Sequence, residues 1–127
     1  MNLNQVTVYS CNVEKAAGFY KKLGLLLIVD SMPRYARFEC PDGDSTFSLH
    51  QTDKPPENSG IVLYFECEDL DEKVAELKSK GIEFTQDPID QTWLWREAHL
   101  NDLDGNKIIL FKAGENRKNP PWRVKLT

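Results

Sequence analysis

Hydrophobic and polar residues alternate over short stretches of the N-terminal half, and this alternation predicts half-buried β-strands. These stretches are 5–9, 25–30, 35–39 and 46–51. Between the first two, apolar residues recur at helical spacing from Val13 to Leu23. Asn12 is suited to cap this helix and Gly24 to end it. The first half is therefore predicted to fold as β-α-β-β-β.

The same order of elements returns after a proline-containing stretch at 52–60, which reads as a linker. Alternation over 61–66 predicts a strand, and apolar spacing predicts a helix that Asp69 caps and Gly81 ends. Further strands are predicted at 82–85, 93–101 and 107–112, with a longer loop over 87–92.

Matched positions indicate that the second half repeats the first. The predicted caps Asn12 and Asp69 are 57 residues apart, and so are Gly24 and Gly81. The chain is therefore predicted to hold one domain over 1–112, made of unit one (1–51), the linker (52–60) and unit two (61–112). The remaining residues, 113–127, contain two adjacent prolines and are predicted to form an extended tail.

Composition narrows the choice of partners. The chain has 16 basic and 20 acidic residues without a basic block, so a nucleic-acid partner is not expected. Apolar runs are too short to span a membrane, and the first residues lack the pattern of a secretory signal. Three widely spaced cysteines are expected to remain reduced. These features predict a cytoplasmic protein.

Two sequence motifs resemble the vicinal-oxygen-chelate superfamily, which includes glyoxalases, bleomycin-resistance proteins and dioxygenases. Residues 18–24 read Gly-Phe-Tyr-Lys-Lys-Leu-Gly, and residues 102–106 read Asp-Leu-Asp-Gly-Asn, close to the family's Asp-Pro-Asp-Gly-Asn. The resemblance extends over about 1–112. It implies an α+β fold in which two βαβββ repeats form a curled eight-stranded mixed sheet around a ligand cavity, with the helices outside. It also implies a homodimer.

The resemblance further implies a divalent metal site whose ligands come from four strands. Carried onto this chain, the four places are Gln5, Ser48, Val62 and Ile109. Aliphatic side chains cannot coordinate a metal, and serine is a poor ligand for Zn²⁺, Ni²⁺ or Fe²⁺. No metal or other cofactor is therefore expected at the usual site, and a divalent metal at a relocated site is the less favoured alternative.

Strand alternation also predicts a sheet face that mixes aromatic and polar side chains, as small-molecule sites do. The tryptophans Trp93 and Trp95 are predicted to share one strand face, where they would stack a planar ligand or hold a cation. The predicted ligand-binding residues are Arg37, His50, Tyr64, Trp93, Trp95, Glu97 and His99.

Three functions remain open from the sequence. The first is a glyoxalase- or bleomycin-resistance-like protein that binds a small aromatic or cationic compound without the usual metal. The second is an enzyme of lyase or dioxygenase type that uses His50, His99 and carboxylates, with or without a relocated metal. The third is a dimer module whose own aromatic side chains fill the cavity. No residue is assigned a catalytic role.

Overall fold

The computed structural model describes residues 1–54 and 60–124. These residues form eight strands, two α-helices and one short 3₁₀ helix. In chain order the elements are β1 (Gln5–Ser10), α1 (Val13–Leu23), β2 (Leu26–Ser31), β3 (Tyr35–Glu39), β4 (Thr46–Gln51), β5 (Val62–Glu66), α2 (Leu70–Ser79), β6 (Gln86–Asp90), β7 (Arg96–Asn101), β8 (Lys107–Lys112) and η1 (Gly114–Arg117).

The strands form two four-stranded mixed sheets with the same topology. The strand order is β1-β4-β3-β2 in the first and β5-β8-β7-β6 in the second. β1 runs parallel to β4, and β5 runs parallel to β8. All other neighbouring strands run antiparallel. The predicted α+β fold with two βαβββ modules is confirmed. Curling of the sheet around a cavity stays a prediction.

The chain divides into two compact units. Unit 1 comprises Met1–Ile61 with Asp102–Asn106, and unit 2 comprises Val62–Asn101 with Lys107–Thr127. The predicted domain boundaries stay predictions. The middle of the predicted linker (55–59) and the end of the predicted tail (125–127) lie outside the described residues. Among the residues that are described, no helix is long and apolar enough to cross a membrane.

Helix α1 begins and ends where the sequence predicts. Asn12 accepts a hydrogen bond from the backbone N–H of Lys15 through its side-chain oxygen, at 3.1 Å. Gly24 has a φ of 110°, a left-handed conformation that ends the helix and that glycine adopts without strain. The buried side of α1 packs on the sheet of unit 1, where the Tyr20 and Phe47 rings lie 4.4 Å apart. The helix thus covers one sheet face.

The turn at 102–106 belongs to unit 1 and is held by one buried carboxylate. The Tyr20 hydroxyl donates to Oδ2 of Asp102 at 2.6 Å. The backbone N–H groups of Asp104 and Asn106 donate to Oδ1 at 2.9 Å and 2.8 Å, and the Asn106 amide donates to Oδ2 at 2.8 Å. Burial, together with the Asp102 charge and hydrogen bond, raises the pKa of Tyr20 well above its ordinary value.

The predicted strand at 82–85 is wrong, and so is the predicted loop over 87–92 in its first part, because residues 87–90 belong to a strand. The structure places the strand later, as β6, which includes Pro88. Ile82 instead follows α2 in a turn, where its backbone N–H donates to the Leu77 carbonyl at 3.1 Å and its side chain is buried. Proline is tolerated here because β6 is the edge strand of its sheet.

The strand predicted from Trp93 to Asn101 begins only at Arg96. Residues 91–95 form a turn in which the Gln91 N–H donates to the Trp95 carbonyl at 2.7 Å. Leu94 has a φ of 69°, which a strand cannot contain. The two tryptophans therefore precede the strand rather than lying along one strand face.

The tail also differs from the extended course that its prolines suggest. It begins with η1, in which the backbone N–H of Asn116 donates to the Ala113 carbonyl at 3.0 Å. Pro120 and Pro121 follow this turn, so they do not interrupt it.

Candidate functional site

Three aromatic side chains form a cluster on the unit 2 sheet. Trp95 stacks on Phe111, with ring centroids 4.5 Å apart and planes inclined by 15°. Tyr64 meets both rings edge-on, at 6.0 Å from Trp95 and 5.8 Å from Phe111. We call Tyr64, Trp95 and Phe111 the aromatic cluster. These are the offset and edge-to-face arrangements that aromatic rings favour.

The aromatic cluster is buried on one side and accessible to solvent on the other. Ile109 and Phe111 are buried together with Ala113, and Trp95 packs against them. Tyr64, by contrast, is 52% exposed. Trp95 also donates its indole N–H to the Asn116 carbonyl at 3.2 Å, which fixes the orientation of the ring. A rigid aromatic surface with one open side is suited to contact with a flat molecule.

A buried carboxylate lies beside the aromatic cluster. Glu97 is 2% exposed and pairs with Phe111 in the register of β7 and β8. Its Oε2 accepts from the Trp93 indole N–H at 2.7 Å, and its Oε1 lies 2.8 Å from Nε2 of His99. Both carboxylate oxygens therefore have partners, as a buried charge requires.

The contact with Glu97 also fixes the chemistry of His99. With Glu97 ionised, the carboxylate only accepts hydrogen bonds, and Nε2 of His99 then carries the proton of this bond. Nδ1 is then the ring nitrogen that is left to meet another group. The His99 side chain is 18% exposed, so this nitrogen belongs to a ring that a small molecule can approach.

Two of the predicted site residues lie in unit 1. Arg37 donates through Nε to the Tyr35 hydroxyl at 2.8 Å. His50 is exposed, and its ring meets Tyr9 and Tyr35 edge-on at 5.8 Å and 6.4 Å. Nδ1 of His50 lies 3.0 Å from the Gln51 carbonyl. Arg37 and His50 thus share Tyr35 as a neighbour.

The structure brings the other five predicted residues together in unit 2, namely Tyr64, Trp93, Trp95, Glu97 and His99. Whether Arg37 and His50 serve the same ligand stays a prediction. The predicted set left out Phe111, although strand alternation already placed it on this face. It also left out Asn116, whose carbonyl comes from the tail and has no sequence signal.

The four family places for metal ligands occupy equivalent positions in the two modules. In the pairing of β1 with β4, Ser48 lies opposite Thr7, and Gln5 is two residues before Thr7. In the pairing of β5 with β8, Ile109 lies opposite Tyr64, and Val62 is two residues before Tyr64. The matched registers show that Gln5 corresponds to Val62, and Ser48 to Ile109, in the two modules.

These residues do not fit a divalent metal. Gln5 donates to Ser48 through Nε2 at 2.7 Å and accepts from Thr46 through Oε1, so its amide is already engaged. Val62 and Ile109 have no lone pair to offer. Within 1–54 and 60–124, no group of three or more His, Cys, Asp or Glu side chains is placed to hold a metal ion.

Known proteins share this sequence pattern and this fold. The uncharacterized protein YraH of Bacillus subtilis (strain 168) is 28% identical over 128 residues, which cover 88% of this chain and 98% of YraH. A glyoxalase/bleomycin resistance protein/dioxygenase from Nocardioides has a TM-score of 0.76 at 21% identity, covering 98% of this chain and 90% of its own. A bleomycin-binding protein complexed with bleomycin has a TM-score of 0.70 at 22% identity, covering 88% and 98%.

The family assignment rests on the length of the sequence match. The sequence model of one family matches residues 2–110, which run from before β1 into β8. The chain belongs to the Glyoxalase/Bleomycin resistance protein/Dioxygenase superfamily.

Proposed function

We propose that this protein binds a small, flat, aromatic or cationic molecule at the aromatic cluster of unit 2, without a metal ion. The observation that carries the proposal is the Trp95–Phe111 stack, with Tyr64 exposed at its rim and Glu97 buried beside it. The bleomycin-binding protein of the same fold supports the general class, because it is complexed with a small molecule.

The electrostatics of this face favour a positive charge on the ligand. The faces of aromatic rings attract cations, most strongly in tryptophan. Glu97 adds a buried carboxylate whose Oε2 is held by the Trp93 indole N–H, a neutral donor, and whose Oε1 contacts His99, which leaves the negative charge in place as long as the imidazole is neutral. A flat cation would therefore gain stacking area from Trp95 and Coulomb attraction from Glu97.

The test is a calorimetric titration with two molecules of the same shape, the cation 1-methylquinolinium and the uncharged 1-methylnaphthalene, together with bleomycin. We expect the cation to bind more tightly than its uncharged counterpart. Trp95→Ala should weaken that binding by more than ~1 kcal/mol, because it removes the stacked ring. Trp122→Ala is the matched control, since Trp122 is 58% exposed and lies outside the cluster.

Two outcomes would contradict the proposal. One is the absence of saturable binding for all three compounds. The other is binding that Trp95→Ala and Trp122→Ala weaken equally, with far-UV circular dichroism showing both variants folded.

A second candidate function is proton transfer by an enzyme, which the 2.8 Å contact between Glu97 and His99 favours. A carboxylate that fixes one imidazole nitrogen leaves the other free to act as a base. Any compound that binds in the titration is then followed by NMR in D₂O. Deuterium uptake that wild type catalyses and His99→Gln does not would support this candidate, and equal uptake by both would exclude it.

A further inference from the structure

Four polar side chains are joined by hydrogen bonds on the unit 1 sheet. Gln5 donates through Nε2 to Ser48 Oγ at 2.7 Å, and Ser48 Oγ lies 2.6 Å from the Tyr35 hydroxyl. Arg37 donates through Nε to the same hydroxyl at 2.8 Å. We call Gln5, Tyr35, Arg37 and Ser48 the Ser48 network. Ser48 is its buried centre, and Gln5 and Arg37 are exposed.

The direction of the bond between Ser48 and Tyr35 follows from the hydrogens available. Ser48 already accepts from Gln5, and its own proton needs an acceptor because the residue is fully buried. Among the described residues, the Tyr35 oxygen is the partner in reach of that proton. Either oxygen can be the donor at this distance, and donation from Ser48 to Tyr35 is the arrangement that gives the buried Ser48 proton an acceptor. The Tyr35 oxygen then accepts from both Ser48 and Arg37, and its own hydrogen is left to point elsewhere.

Arg37 also has donors to spare. Its Nε is used by Tyr35, and its Cζ lies 5.4 Å from the centroid of the Tyr35 ring. Over residues 1–54 and 60–124, no carboxylate forms an ion pair with Arg37. Its two terminal nitrogens thus carry further N–H donors and the positive charge, on a guanidinium group whose Nε is held by the Tyr35 hydroxyl.

We propose that Tyr35 and Arg37 form an oxyanion site that takes a carboxylate or phosphate group. Arginine supplies the charge and the bidentate geometry that such anions favour. The Tyr35 hydroxyl supplies a third donor, held in place by Ser48. This site is built within unit 1 alone, so it stands independently of the proposed ligand site on unit 2.

The hydrogen bonds received by the Tyr35 oxygen also affect how well its own hydroxyl donates. A phenol whose oxygen receives two donors is a stronger hydrogen-bond donor itself. An anion oxygen is the acceptor that profits most from such a donor.

The test is a ¹H–¹⁵N NMR titration of the whole protein with sodium phosphate and, separately, with sodium acetate, at constant ionic strength set by sodium chloride. We expect saturable shifts centred on the β3 amides. Arg37→Met should weaken binding by about tenfold or more, because it removes charge-assisted hydrogen bonds. Tyr35→Phe should weaken it several-fold. Comparison of the two anions shows whether the site prefers phosphate or carboxylate.

Arg34→Met is the matched control, because Arg34 is an exposed arginine in the turn before β3 and its removal changes the net charge equally. It should change affinity by less than about twofold, as a screened surface charge does. Equal weakening by Arg34→Met and Arg37→Met would overturn the proposal, and so would shifts that rise linearly without saturation for both anions. If Arg37→Met does not fold, the affinity of Arg37→Lys for the two anions tests the proposal instead. That variant keeps the charge but loses the bidentate guanidinium group, and unchanged affinity in it would refute the geometry.

Discussion

Replacement of Tyr20 by phenylalanine tests whether one buried phenol holds the 102–106 turn in unit 1. The Tyr20 hydroxyl donates to Asp102 at 2.6 Å, and the residue is fully buried. The substitution removes a single oxygen and keeps the ring that packs on Phe47 at 4.4 Å. The variant therefore loses a hydrogen bond and leaves almost no cavity.

The structure sets the size of the expected loss. In the variant, Asp102 keeps three donors, which are the backbone N–H groups of Asp104 and Asn106 and the Asn106 amide. The carboxylate is thus not left without partners. The free energy of unfolding should fall by about 1.5–3 kcal/mol, the usual contribution of one hydrogen bond to a charged group.

Urea unfolding followed by circular dichroism measures this loss. The midpoint should fall while the slope with urea stays unchanged, because the area exposed on unfolding is nearly the same. Tyr9→Phe is the matched control, since Tyr9 is exposed and its hydroxyl makes no hydrogen bond within the described residues. It should change the free energy of unfolding by less than about 0.5 kcal/mol. A Tyr20→Phe value as small as that of the control would refute the reasoning.

The same residue predicts how stability depends on alkaline pH. Burial, then the Asp102 charge and hydrogen bond, raise the pKa of Tyr20 above its ordinary value of 10.0. Above pH 10.0 the unfolded chain therefore loses this proton while the folded chain keeps it. The contribution is complete below that pH and is lost as pH rises, by up to about 1.4 kcal/mol per pH unit. Because Tyr20→Phe lacks this proton, the difference between wild type and variant should narrow above pH 10.0.

Three further predictions follow from the sites. Zn²⁺, Ni²⁺ or Mn²⁺ should not bind tightly and stoichiometrically at the family's metal site, because Val62 and Ile109 occupy two ligand places. An ion bound to Gln5 and Ser48 would contradict this, and turnover of a hemithioacetal should be undetectable. Glu97→Ala should lower the free energy of unfolding by about 1–3 kcal/mol, since it leaves the Trp93 N–H and His99 without an acceptor, and Glu97→Gln should cost less. Equal costs in urea unfolding would contradict the role of the carboxylate oxygen. The family resemblance predicts a homodimer, which sedimentation at micromolar concentration would test and a monomer would refute.

Much of the fold could be predicted from the sequence because its signals are local. Asn12 and Gly24 mark the ends of α1 by side-chain capping and by a left-handed φ, which depend on single residues. The hairpin of unit 2 lacks such a signal. Its turn places Leu94 at a φ of 69°, a conformation that glycine or asparagine usually adopts and that a leucine in the sequence does not predict. The strands on both sides were therefore predicted out of position.

The candidate site was predictable where strand alternation alone decides it. Ala98 and Leu100 are fully buried, and alternation along β7 puts Glu97 and His99 on the face opposite to theirs. The bond from Trp95 to Asn116 depends instead on how the tail turns back as η1, which is a tertiary contact. The role of Tyr35 was also hidden, because it arises from hydrogen bonds between three strands.

The two modules show how one backbone register supports two chemistries. Ser48 and Ile109 occupy the same place in their sheets, and both are buried. A buried hydroxyl needs partners, and Ser48 finds them in Gln5 and Tyr35. A buried isoleucine needs apolar neighbours, and Ile109 is buried together with Phe111 and Ala113, against which Trp95 packs. The residue at the shared place therefore sets the requirements for its neighbours. In unit 2, Ile109 offers no atom that could coordinate a metal. The aromatic side chains that cover it form the surface suited to flat molecules, so the two features belong together.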